Sequence, residues 1–272
     1  GDQQIFLPHV YRWCRRRRIP FVAYVGTAHS LDSNFKSKVM NALFAAGTLR
    51  IYKKNPVLAK TSAAKEELRQ LGVPHAVIAP VGLDNAVLKK NIPADEKMRL
   101  RKEHGFEADD VILCNVSRLS WEKRPLELID LFLQVKGKKK FKLIIVGNGP
   151  LEEELNEKIR KNGLEKEVKI YPNVPYEKMW EIYEMSDYYL NMNKGEIFGM
   201  AIMEAVYYKT SVAAIRALGP SVTLKDMKGH KLCENDDEMA EWITGPYPSE
   251  KDLQESSEKM AATFTWDRCA DA

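Results

Sequence analysis

Glu196 and Glu204 bracket the run Glu196-Ile-Phe-Gly-Met-Ala-Ile-Met-Glu204. Glu196, Phe198 and Gly199 belong to a loop, and Gly199, Met200 and Ala201 then open a helix. The first N–H groups of a helix lack partners within it, and together with the helix dipole they suit a phosphate or a sugar hydroxyl. Glu204 follows Met200 by one turn and faces the same way. A carboxylate there can accept from both hydroxyls of a ribose. Carboxylate pairs also serve glycoside hydrolysis, but that chemistry needs them flanking a glycosidic bond in a groove. This pair brackets a helix start suited to anions instead. A second loop, Ser117-Arg-Leu-Ser-Trp-Glu-Lys123, supplies cations. Arg118 offers a planar fork of donors and Lys123 a point charge, and both can reach one diphosphate. Taken alone they read more readily as a solvated surface pair. A third loop, Gly147-Asn-Gly-Pro150, lets backbone amides approach a ligand ahead of a helix. Glu152 stands where a dinucleotide fingerprint needs its third glycine, so a plain turn is as good a reading. A fourth, Tyr171-Pro-Asn-Val-Pro175, puts backbone around Asn173 where it can meet a base, or is simply a turn before a helix.

Each of these loops follows an apolar run of strand length. The pattern predicts strands over 111–116, 141–146, 168–171, 188–191 and 211–215. It predicts helices over 124–134, 151–162, 177–185 and 200–208. Strands alternating with helices of ten or so residues mean βαβ units and a parallel sheet, with ligand outside the strands' carboxyl ends. All four loops then open on one side. Upstream, the sequence predicts a strand over 19–26, a helix over 33–48, a strand-like piece over 50–60, a helix over 63–71 ended by Gly72, and a strand over 75–80. Residues 85–110 read as a linker and lead-in helix, and the tail as helices near 238–243 and 250–262.

The chain is long enough, at 272 residues, for one large or two ordinary domains. Residues 1–90 hold 15 Lys/Arg against 5 Asp/Glu, and the remainder 27 against 33. That asymmetry points to two units, the first suited to an anionic partner. Cys14, Cys114, Cys233 and Cys269 have no metal or disulfide spacing. No apolar run is long enough for a spanning helix and the start has no secretory pattern, so the expected compartment is the cytoplasm.

The residues carry a resemblance. Gly195-Glu196-x-Phe198-Gly199, followed by Glu204-Ala205, resembles the nucleotide-sugar motif of family 4 retaining glycosyltransferases of the GT-B fold. Arg118 with Lys123, the Gly-x-Gly-Pro turn and Phe264-Thr-Trp266 are similar to the same family in the same order. So is the run from Val57-Leu-Ala-Lys-Thr-Ser62 to Pro80-Val-Gly-Leu-Asp84.

The resemblance implies two Rossmann-like domains with a cleft between them. A partial N-terminal domain, 1–88, lies on the acceptor side, and the donor-binding C-terminal domain is 89–272. It implies Arg118 and Lys123 on the diphosphate, Glu204 on the ribose, Glu196 on the donor sugar, and Asn173 near the base. Gly147, Phe198, Gly199, Met200 and Ala201 would line the donor site. His29, in Ala-His-Ser after a strand, matches the family's cleft histidine. His9, His75, His104 and His230 have only a structural reading.

The implied reaction is hexosyl transfer, with retention, from a nucleoside-diphosphate sugar (UDP is the commonest base) to a hydroxyl of a glycan or lipid-linked acceptor. No cofactor is expected. No Asp-x-Asp occurs, so no metal is expected either, and protein groups must carry the diphosphate charge. Arg15–Arg18 beside Trp13 can touch an anionic membrane surface or be a solvated helix end. No RNA motif accompanies them, so no nucleic-acid partner is expected.

Two departures stand out. The resemblance implies that about the first half of the family's N-terminal domain is missing from the sequence, and Arg216-Ala-Leu-Gly-Pro220 stands where the family more often has an acidic or small residue and two glycines. The rival readings are a binding-only fragment, a subunit of a split transferase, and a sugar-nucleotide epimerase. A nicotinamide dehydrogenase is a weaker fourth.

Overall fold

The computed structural model describes residues 3–26, 39, 42, 47–79, 81–84 and 87–266. His29, Cys269 and nearly all of the helix expected over 33–48 lie outside the described residues. The chain divides into two compact units, Gly1–Gly82 with Trp266–Ala272, and Leu83–Thr265.

In the first unit, helix α1 (Gln3–Arg17) ends in Arg15, Arg16 and Arg17. Cations in a last helical turn meet the negative end of the helix dipole. Of the two roles that the sequence allows this stretch, a solvated helix end and a contact with an anionic membrane surface, the helix bounds bear out the placement at a helix end. Three short parallel strands follow, β1 (Ala23–Val25), β2 (Val57–Ala59) and β3 (Val77–Ile78), in that spatial order. The expected strand-like piece over 50–60 splits in two: helix α2 (Leu49–Tyr52) and β2. Pro56 biases Asn55 away from helix, and the Asn55 side chain caps the turn by donating to the Ile51 carbonyl at 2.7 Å. Helix α3 (Ser62–Gln70) starts at Thr61, whose hydroxyl accepts from Ala64 N at 3.0 Å. Val25, Val57, Ala59, Leu68 and Val73 form the core of this unit.

The second unit is built on six parallel strands. They are β4 (Val111–Val116), β5 (Phe141–Val146), β6 (Val168–Tyr171), β7 (Tyr188–Asn191), β8 (Ser211–Ile215) and β9 (Lys231–Cys233). Their spatial order is β6-β5-β4-β7-β8-β9. The chain builds outward from β4 to β6, then returns to β4's other side and builds outward again. Helices α4 (Glu96–Glu103), α5 (Pro125–Val135), α6 (Glu152–Lys161), α7 (Met179–Met185), α8 (Met200–Tyr207), α9 (Leu218–Thr223), α10 (Asp236–Thr244) and α11 (Glu250–Thr263) connect and follow them. The strands β4, β5, β7 and β8 are nearly continuous apolar runs because parallel sheets are covered on both faces. Leu113, Leu143, Ile145, Leu128 and Phe132 are all buried in the resulting core.

The opposite, N-terminal edge of the sheet is fixed by charge. Buried Arg101, on α4, donates to Asp187 Oδ2 at 2.6 Å and to the Met185 carbonyl at 2.9 Å. Asp187 also accepts from Ile112 N at 2.8 Å and Lys97 Nζ at 2.9 Å. The lead-in helix is thereby tied to the starts of β4 and β7.

Candidate functional site

Where strand order reverses, between β4 and β7, two loops leave the sheet in opposite directions and open a crevice. The β4 loop carries Arg118 and Lys123, and the β7 loop carries Glu196. Lys123 Nζ donates to Glu196 Oε2 at 2.8 Å across this point. Both side chains are largely shielded, 26% and 16% exposed. Burial resists ionisation of Glu196. The Lys123 ammonium and the Asn193 and Asn191 side chains outweigh it and hold the carboxyl below the usual carboxylate range. Asn193 shapes the loop: its Nδ2 donates to Glu196 at 3.1 Å, its Oδ1 accepts from Gly195 N, and its own N–H donates to Asn191 Oδ1.

Arg118 does not join this pair. Its side chain is 69% exposed and donates to Glu122 at 2.9 Å, a solvated surface contact. The neighbouring Arg124, not singled out from sequence, has a positive φ of 55°. It binds Asp236 with both Nη atoms, at 3.0 and 2.8 Å, tying α5 to α10.

The glycines of the β5 loop make room for protein. A Cβ on Gly147 would lie 2.0 Å from the Ser117 carbonyl oxygen, and one on Gly149 would lie 2.4 Å from that of Leu119. Leu119 N donates to the Asn148 carbonyl, and the Asn148 side chain donates to that of Pro172 at 3.1 Å. The three loops after β4, β5 and β6 are therefore laced together. Asn173 is exposed at their rim.

Gly199 starts α8 with a φ of 87°, a conformation open to glycine. Met200 and Ala201 are half-buried in the first turn. Phe198 is buried, edge-on to Phe264 at 6.1 Å, and acts as packing. The segment read as a loop at Arg216–Pro220 instead begins α9, with Pro220 tolerated in its first turn. Gly219 N donates to the Glu196 carbonyl at 2.8 Å, and a Cβ there would strike Phe198 N at 2.4 Å. Gly219 therefore braces the Glu196 loop from behind.

Glu204 sits on α8 and is buried. Its Oε1 accepts from the Tyr176 hydroxyl at 3.2 Å and its Oε2 from Tyr183 at 2.7 Å. Burial raises this carboxyl above the usual range, against the pull of the two tyrosines. The sequence reading missed Tyr176, Tyr183, Asn193 and Gly219. The first two come from the segment before β7, and no spacing rule links them to a residue 21 or 28 positions later. Among the described residues, no three His, Cys, Asp or Glu side chains gather as a metal site.

A doubly wound parallel sheet, with charged and hydrogen-bonding groups gathered at its switch point, is the architecture of a Rossmann-like ligand-binding domain. The sequence profile of the glycosyl transferases group 1 family matches residues 96–260, and the chain belongs to that family. D-inositol 3-phosphate glycosyltransferase of Mycobacterium avium (strain 104) is 26% identical over 295 residues, covering 96% of this chain and 64% of its own length. The chain thus spans somewhat under two thirds of that relative. The amylovoran biosynthesis glycosyltransferase AmsD of Erwinia amylovora is 34% identical over 112 residues, 41% of this chain and 31% of its own.

A crystal structure of Anabaena Alr3699/HepE in complex with UDP and glucose superposes with a TM-score of 0.78 at 19% identity, over 95% of this chain and 71% of that one. Sucrose-phosphate synthase of Thermosynechococcus elongatus gives 0.78 at 16% identity, over 95% and 67%. At such identities the likeness is one of fold: α/β with parallel sheets, as in GT-B glycosyltransferases.

Proposed function

We propose that this chain contributes the donor-binding half of a retaining hexosyltransferase. The enzyme would move a hexosyl group from a nucleoside-diphosphate sugar, UDP-linked by preference, to a hydroxyl acceptor in glycan or glycolipid synthesis. The observation that carries this reading is the Lys123–Glu196 pair at the switch point, beside the start of α8 and one turn from buried Glu204. Family membership and the fold shared with a UDP-bound neighbour support it.

In this reading Lys123 and the amides of Gly199, Met200 and Ala201 meet the diphosphate, Glu196 contacts the sugar, and Glu204 holds the ribose. As the anomeric C–O bond breaks, negative charge grows on the departing β-phosphate. Preorganised positive groups stabilise that charge more than they stabilise the intact donor. Arg118 is 69% exposed and screened by solvent where Lys123 is shielded, so its share is smaller. The acceptor hydroxyl attacks the face the diphosphate leaves and gives its proton to a phosphate oxygen, so no protein base is assigned. His29 remains a candidate for positioning the sugar. The protein is proposed to be cytoplasmic and to meet the inner membrane face through Arg15–Arg18.

Calorimetric titration of UDP, GDP and ADP into the chain and into Glu204→Ala tests the donor site. One nucleotide should bind, and the variant should lose about 1–3 kcal/mol of that binding, the range for leaving a hydrogen-bonding partner unpaired. Equal affinity in both proteins would refute the role given to Glu204.

A further inference from the structure

Both oxygens of Glu204 have a donor from the protein itself, and the two donors are unlike. Tyr183 is fully buried and lies parallel to Tyr208, with ring centroids 5.9 Å apart and 9° between planes. Tyr208 is itself fixed by the Lys89 N–H, which donates to its hydroxyl at 3.0 Å. Tyr183 is therefore a permanent partner at 2.7 Å. Tyr176 lies on a short 3-10 turn, Tyr176–Lys178, directly after the Tyr171–Pro175 turn proposed to meet the base. It is 46% exposed, and its bond is the longer one, 3.2 Å.

We propose that Tyr176 is an exchangeable stand-in for the ribose. Its hydroxyl occupies Glu204 Oε1 while the site is empty, and a ribose hydroxyl takes that place when the nucleotide binds. The proposal rests on the donor-site reading of Glu204. A buried carboxylate oxygen left without a donor is costly, so a movable hydroxyl on an exposed turn lowers the cost of the empty state. The consequence is a muted preference for ribose. The nucleotide replaces one hydrogen bond by another instead of making a new one. Burial and the nearby Glu204 carboxylate push the Tyr176 hydroxyl up to about 12, so it remains a donor throughout the working pH range.

Tyr176→Phe removes one oxygen at a half-exposed position and leaves Tyr183 in place. The test measures, in wild type and Tyr176→Phe, the Kd of the tightest-binding of UDP, GDP and ADP and of its 2′,3′-dideoxy form. The ribonucleotide should bind about two- to tenfold tighter to the variant, the span of one net hydrogen bond. The dideoxy form should not change, so the ratio between the two ligands grows. Weaker ribonucleotide binding would make Tyr176 a direct ligand contact. Equal shifts for both ligands would make its effect merely structural. Either result overturns the proposal. If wild type binds none of the three nucleotides, the donor-site reading falls and this inference falls with it. Unequal ligands in wild type with an unchanged ratio in Tyr176→Phe would leave the donor site standing and refute the exchange alone.

Discussion

At the scale of single residues, the site separates groups that sequence alone treats as equals. Arg118 and Lys123 share a loop, but only Lys123 reaches Glu196. Lys123→Ala should weaken nucleoside-diphosphate binding about tenfold or more, the loss of one charge-assisted hydrogen bond. Arg118→Ala should cost under about threefold, because an exposed, solvent-screened cation contributes little. Calorimetry on the two variants side by side reverses this ranking if Arg118 is the principal phosphate ligand. Gly219 offers a cleaner separation of geometry from charge. Gly219→Ala removes no polar group, yet its methyl collides with the backbone at Phe198. Thermal melting should show a loss of about 1–3 kcal/mol, typical of overpacking. Donor affinity should fall with it, since the displaced loop carries Glu196.

At the scale of elements, the outer half of the sheet has a pH sensitivity of its own. His230, just before β9, accepts from Val212 N of β8 through Nδ1, and its Nε2 is sealed from solvent with no partner among the described residues. Burial pulls its pKa down to about 4. The folded state thus resists a proton that the unfolded chain accepts near 6.5. Stability from this site is whole above pH 6.5 and drains as pH falls toward about 4, by roughly 3 kcal/mol in all. Urea unfolding across that range should show the loss, and His230→Asn should flatten it.

The same sheet, taken whole, shows what sequence conveys and what it does not. Strands 111–116, 141–146, 168–171, 188–191 and 211–215 coincide with their expected bounds because continuous apolar runs in a buried parallel sheet have few alternatives. Lys231–Cys233 was missed because three residues with a lysine at one end carry no period. Helix α9 was missed because Gly219 and Pro220 read as a break. Likewise type and spacing single out Lys123, Glu196 and Glu204, and the structure brings Lys123 to Glu196 at 2.8 Å. The tyrosines that occupy Glu204 were not, because only packing of α7 against α8 brings them there.

At the scale of the whole molecule, the longest run of positive charge in residues 1–90, Arg15–Arg18, falls at the end of α1. Trp13, half-exposed, lies 4.5 Å beneath the Arg17 guanidinium. The proposed membrane contact predicts co-sedimentation with phosphatidylglycerol vesicles, weakened by salt and by Arg15→Glu with Arg16→Glu. Equal binding to phosphatidylcholine vesicles would rule out an electrostatic contact.

The reversal of strand order has a consequence for synthesis on the ribosome. Lys123 precedes Glu196 by 73 residues. At about 5–20 residues per second, roughly 4 to 15 seconds separate their emergence. In that interval β4, β5 and β6 can pair, but the other edge of β4 stays open, a row of unpaired amides and carbonyls available to any passing chain. Strand β7 fills that slot, and the loop following it delivers Glu196 to Lys123. The open edge of β4 is therefore exposed to misassociation until shortly before the charged pair forms, and the pairing of Lys123 with Glu196 marks the end of that exposure.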